Sequence, residues 1–165
     1  DVYKRQGQAS GLVLMNCGRW WGKNFYARFC EELSDYYQQS FGEMPMVDFL
    51  QSLQQCWKTH GWGKLELDTE AQAEGFLVIK VWNSPFIAYA TPNQQLSGFL
   101  ERGILGTFFS QLTGRDLACV QTTCESMGAE CNYFVIGLGK RFEPVQAMLE
   151  QGTASHAEIM AKLLQ

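Results

Sequence analysis

Cys124 and Cys131 are the residues with the clearest capacity for chemistry. They stand seven positions apart in "CESMGAECNYFVIG", residues 124–137, with Gly128 between them and an apolar, strand-like run after them. Two thiols around a short turn can form half of a zinc site, pair as a disulfide, or sit buried as free thiols. Spacing alone leaves these three open. A structural zinc takes four Cys, His or carboxylate ligands, so two more are needed. Cys119 lies five residues before Cys124, and in a regular strand an odd separation puts side chains on opposite faces. Glu125 and Glu130 are expected to point outward from the turn. His60 and His156 are distant in sequence and have no motif around them.

No catalytic constellation accompanies the cysteines. A cysteine nucleophile needs a neighbouring base and an oxyanion hole, and neither histidine has that context. "GLGK" (137–140) and "HGWGK" (60–64) lack the spacing of a phosphate loop. Binding is therefore the better expectation than catalysis. Trp21, Phe25, Trp82, Phe99, Phe109 and Tyr133, with Trp20 and Phe108, are available to a space between helices and sheet. The alternative is that they simply fill the core.

The elements that must position these residues follow from periodicity and turn signals. Residues 11–38 read as a long helix with Leu12, Met15, Trp20, Phe25, Phe29 and Leu33 on its apolar stripe. Gly18 and Gly22 lie four apart within it, a pattern that suits close approach to a helix, a partner chain or a ligand. A second helix opens at Pro45, buries Val47, Leu50, Leu53 and Trp57, and stops at Gly61. Strands at 64–68 and 76–82 form a hairpin, and Pro85 and Pro92 bracket the loop that follows. A third helix spans about 95–113, thinned at Gly103 and Gly106. Two further strands, "RDLACVQTTC" and "CNYFVIGLG", flank the cysteine turn. Helical turns from 143 to 152 follow, and "SHAE" at 155–158 reads as a capping box opening the last helix. The expected fold is α+β: an antiparallel four-stranded sheet with helices packed on it, in the order α-α-β-β-α-β-β-α.

The chain has 165 residues, 46% apolar and 18% charged, enough for one compact domain. Residues 1–10 read as a non-native or disordered N-terminal edge, the first residue being Asp, and 11–165 as a single domain. A net charge of −4 with scattered basic residues argues against nucleic acid as a partner. No stretch reaches the roughly 20 apolar residues of a membrane span. Cys17, Cys30 and Cys56 fall in helix-like apolar patterns, where a free thiol acts as a small buried hydrophobe. That usage suggests a reducing, cytoplasmic setting.

Five segments in this order carry a resemblance: "NCGRWWG", "GWGKLEL", "VWNSP", "SGFLERGILGTFFSQLTGR" and "VQTTCESMGAECNYFVIG". Together they resemble the 4-vinyl reductase, or hydrocarbon-binding, domain family, whose α+β fold is shared with subunits of vesicle-tethering complexes. The family includes sensor domains of bacterial regulators that respond to aromatics. The resemblance implies an apolar pocket, a homodimer formed through helices, and no chemistry. It places Trp82 on the strand before the third helix, facing the ligand. It also implies that zinc-bearing members use a cysteine opening the third helix, a glutamate and the two final cysteines. Here Cys124 and Cys131 match, the glutamate position is Gln121, and the helix-opening cysteine falls at Ser97 or Gly98. Zinc needs charged, deprotonated ligands, so no cofactor is expected, with zinc on Cys124 and Cys131 as the alternative. The run from "GWGKLEL" to "LTGR" is also similar to the small D subunit of bacterial cellulose synthase, an assembly protein without the Cys-Gly-Cys ending. The expected function is a non-enzymatic sensor domain for an apolar or aromatic ligand. Its rivals are an assembly scaffold with glycine-thinned helices and a tetrapyrrole-related vinyl reductase accessory protein.

Overall fold

The computed structural model describes residues 2–37, 44–87 and 96–165. Pro92 and the expected start of the third helix at 95 lie outside them. The elements are α1 (Val2–Tyr37), α2 (Met46–Thr59), β1 (Lys64–Asp68), β2 (Leu77–Trp82), α3 (Phe99–Thr113), β3 (Leu117–Thr123), β4 (Asn132–Leu138), α4 (Gln146–Gln151) and α5 (His156–Leu163). The fold is α+β, with one antiparallel sheet in the order β1-β2-β4-β3. Leu65 pairs with Val81, Ile79 with Phe134, and Cys119 with Ile136.

Strand alternation divides the sheet into two apolar faces. Leu65, Ile79, Val81, Cys119, Phe134 and Ile136 join a core with residues of α1, α2 and α3. Val78, Val120 and Val135 face the other way, against Phe142, Val145 and residues of α5. Ser155 caps α5: its hydroxyl accepts from the Glu158 N–H at 3.1 Å, and the Glu158 carboxylate accepts from the Ser155 N–H at 3.3 Å. This is the capping box read in the sequence.

Helix α3 is buried around most of its circumference, between α1 and the sheet, as an apolar helix without a polar face must be. Its packing explains the glycine pattern. A Cβ on Gly18 would lie 2.2 Å from the Leu100 carbonyl oxygen, and one on Gly103 would lie 2.3 Å from that of Met15. A Cβ on Gly22 would meet the Ile104 carbonyl oxygen at 2.7 Å. These glycines let two helices of the same chain approach backbone to backbone. Gly106 instead faces Cys119 at ordinary contact distance.

The inward stripe of α1 is accordingly Gly11, Gly18, Gly22, Phe25, Phe29 and Leu33. Leu12 and Trp20, expected on it, are 63% and 66% exposed. Large side chains were the wrong marker where the seam is made by small ones. Val47 is exposed too, and Cys56, buried as expected, joins Leu53 and Trp57 on the buried face of α2. Cys17 is exposed rather than buried. The β3 edge of the sheet is closed by α3: Ser110 bonds both the N–H and the carbonyl of Leu117, and Arg102 donates to the Cys119 carbonyl. Those groups are unavailable for edge-to-edge pairing.

Candidate functional site

A β-bulge between Gln121 and Thr123 reshapes the end of β3. The Thr123 hydroxyl enters the ladder, donating to the Cys131 carbonyl at 2.9 Å and accepting from the Tyr133 N–H at 3.1 Å. Regular alternation therefore fails here, as bulges allow. Gln121 and Cys124, an odd number apart, both reach the residues that open α3. The Gln121 Oε1 accepts from the Gly98 N–H at 2.8 Å. The Cys124 Sγ lies 3.4 Å from Ser97 Oγ and 3.0 Å from Ser126 Oγ, and those two hydroxyls are 3.1 Å apart.

Ser97, Gly98, Gln121 and Cys124 are thus brought together, as the resemblance to zinc-bearing members implies. Cys131 has a different setting. It is buried; burial pushes its thiol above the ordinary range, Lys80 opposes this, and Glu130 and Glu125 add to it. The donors present do not make a zinc site of that kind. The Gln121 oxygen is spent on a backbone N–H, Ser97 offers a neutral hydroxyl, and zinc favours thiolate, imidazole or carboxylate. Among the described residues no group of three or more His, Cys, Asp or Glu is placed to hold a metal.

The turn itself is tied down by Glu125, which points inward and not outward as expected. Its carboxylate accepts from the N–H groups of Asn83 (3.1 Å) and Ser84 (3.2 Å) and from the Asn132 side-chain amide. Asn132 accepts in return from the Glu125 N–H at 2.8 Å. Two free backbone donors at the end of β2 attract the carboxylate across to them. Gly128 holds φ +90° at the turn with open space around it, which is why a glycine stands there.

The six aromatic candidates occupy four places. Phe25 and Phe109 are in the helix-side core; the Phe25 ring lies 5.2–6.3 Å from those of Phe29, Trp57, His60, Trp62 and Phe108. Trp21, 40% exposed, stacks on Trp62 and meets Phe86 at a tilt at the core margin. Phe99 opens α3, packs against Gly11 and carries the Arg102 guanidinium over its ring. Trp82 and Tyr133 belong to the opposite sheet face. Lys64 Nζ lies over Trp82, and Tyr133 stacks on His156 at 4.3 Å under Lys80. The structure therefore does not converge the six on one space.

One buried group escaped the sequence reading. Glu101, in the first turn of α3, is 1% exposed, and neither carboxyl oxygen has a hydrogen-bond partner among the described residues. Burial raises its pKa to about 8; Ser84 lies near enough to temper the rise, though outside hydrogen-bonding geometry, and Glu125 adds to it. The Gln121 Nε2 is likewise buried and unpartnered. A signal was present: Glu101, Leu105 and Phe108 recur at i, i+4 and i+7 on one helix face.

Two grooves open elsewhere. One of about 700 Å³ runs between α1, α3 and β3 and presents Arg19, Lys23, Arg102 and Arg115. The other, about 370 Å³, lies between α1 and α2 beside Cys56. None of the six aromatic candidates lines either one.

Residues 77–138, from the first residue of β2 to the last of β4, match the family model of the 4-vinyl reductase domain. The match spans Glu101, Gln121 and both cysteines of the turn, and it bears out the resemblance to that family. No curated protein matches the chain. Among solved structures, the phenol-responsive sensory domain of the transcription activator PoxR, with phenol, superposes with a TM-score of 0.61 at 12% identity, over 87% of this chain and 71% of that one. Subunit 3 of a trafficking protein particle complex from Naegleria fowleri, covalently bound to palmitic acid, gives 0.59 at 14% identity, over 79% and 81%. A vinyl-4-reductase family protein from Methanocaldococcus jannaschii gives 0.46 at 19% identity, over 53% of this chain, which spans 55% of that protein's length. At such identities the first two likenesses are of fold. Among the described residues no helix is long and apolar enough to cross a membrane.

Proposed function

We propose that the chain is a small-molecule-binding sensor domain whose ligand has an apolar or aromatic body. The observation that carries this is the match to the 4-vinyl reductase domain over 77–138, the stretch containing the start of α3 and the buried polar groups beside it. The shared fold with a phenol-bound sensory domain supports the same reading. The domain binds without chemistry, works in the cytoplasm, and passes occupancy to a partner or an output domain through α3 and the helix packed on it. The apolar side chains that α1 leaves exposed, Leu12, Val13 and Trp20, support a homodimer. Native mass spectrometry with a panel of small aromatics tests the binding; uptake of none of them leaves only a structural role. Light scattering tests the dimer.

The rival, an assembly scaffold, draws on those same exposed side chains and on the fold shared with a trafficking-complex subunit. It loses one support: Gly18, Gly22 and Gly103 serve packing within the chain. A chain that takes up no ligand but captures a second, different protein through α1 would favour it.

A further inference from the structure

Glu101 and Gln121 stand out among buried polar groups because the fold makes no use of part of each. Buried polar atoms are nearly always hydrogen-bonded, and leaving one unpaired costs free energy that a folded chain ordinarily avoids. Here both Glu101 oxygens and the Gln121 Nε2 have no hydrogen-bond partner among the described residues, in side chains 1% and 2% exposed. Both are placed at the start of α3. Gln121 is anchored by its other amide atom to Gly98, one helical turn before Glu101. The ring of Phe134, fully buried, lies against Gly98.

The neighbouring charges offer Glu101 no counterion. Glu125 lies toward it from the β3–β4 turn, the Cys119 thiol from β3, and Arg102 on its own helix donates to the Cys119 carbonyl instead. A carboxyl in this setting stays protonated at neutral pH, and so presents a donor and an acceptor side by side. Gln121 adds a second donor. The complement is a group with an acceptor that takes bonds from Glu101 O–H and Gln121 N–H, beside a donor that reaches the Glu101 carbonyl oxygen.

We propose that Glu101 and Gln121 form the polar end of the ligand site, and that the ligand carries a primary amide or lactam on an apolar body. This rests on the sensor reading above and names its ligand class. A simple hydrocarbon leaves all three atoms unpaired, and sites built to hydrogen-bond a group reject analogues lacking it.

The test uses benzamide and toluene as probes, by isothermal titration at neutral pH, on the whole chain and on the variants Glu101→Leu and Glu101→Gln. Benzamide is expected to bind about tenfold or more tightly than toluene. Glu101→Gln, which keeps a donor beside an acceptor, retains the preference. Glu101→Leu loses it and still takes toluene. Equal binding of the two probes to the unmodified chain, or an unchanged preference in Glu101→Leu, overturns this proposal and leaves the sensor reading standing. Uptake of neither probe by the unmodified chain overturns both.

Discussion

Replacing Glu101 by Gln should change how stability depends on pH. The carboxyl ionises near 4.5 in an ordinary setting and at about 8 in the fold, because burial disfavours its charged form. An acid whose folded pKa is raised keeps its proton in the native state over an interval where the unfolded chain has released it. Its contribution is fully present below 4.5 and is lost as pH rises toward 8. Each pH unit in that interval is worth about 1.4 kcal/mol, so the ceiling over the whole interval is about 5 kcal/mol. Water entry and local relaxation reduce this, and a fall of about 2–4 kcal/mol is expected. Against a typical domain stability of about 5–15 kcal/mol, that is easily measured. The assay is urea denaturation of wild type and variant from about pH 5 to about pH 9, a range that brackets the shift. Taking the difference between the two curves cancels other titrating groups. The variant should gain on wild type steadily to about pH 8 and then hold level. Parallel curves would refute the claim that this carboxyl is buried and protonated.

Three other outcomes follow from the packing. Gly103→Ala forces a Cβ to 2.3 Å from the Met15 carbonyl and should cost about 2 kcal/mol or more. Gly106→Ala meets nothing closer than 3.5 Å and should be neutral or stabilising through helix propensity; thermal melts of both variants check the contrast. Glu125→Ala removes the acceptor for two backbone N–H groups and should destabilise by about 3 kcal/mol, read by chemical denaturation. His156 is held below its ordinary pKa chiefly by burial, with Asp68 opposing and Lys80 assisting. Its Nδ1 lies 2.6 Å from the Thr122 hydroxyl. A base with a lowered folded pKa contributes stability above its ordinary value of 6.5 that is lost as pH falls below it. Protection factors of α5 amides, taken relative to the intrinsic exchange rate at each pH, should therefore fall in mild acid, and His156→Gln should flatten that fall.

The strands, the third helix and the α5 cap were legible because each depends on local signals: alternation, helical spacing, a Ser and Glu three apart. What was not legible depends on pairing at a distance. The bulge at Gln121 and Thr123 follows from how β3 and β4 register, and it lets Gln121 and Cys124 both reach the start of α3, which parity along the strand does not foresee. Glu125 turns inward because the end of β2, some forty residues earlier, presents two free N–H groups. The α1 stripe was misplaced because the seam is made of glycines, which carry no hydrophobic signal, while Leu12 and Trp20 carry a strong one and lie outside. Gln121 and Ser97 could be singled out only through the family resemblance, and the structure does bring them to the start of α3. Glu101 sat in plain view on an apolar helix face. Its meaning required knowing that α3 is covered on both sides.

The measurement that bears most directly on the account is native mass spectrometry of the purified chain exposed to small apolar aromatics. The account predicts a stoichiometric adduct, one molecule per chain, that survives in the folded charge states and disappears on unfolding. A chain that remains ligand-free across the panel, while folded, would contradict it.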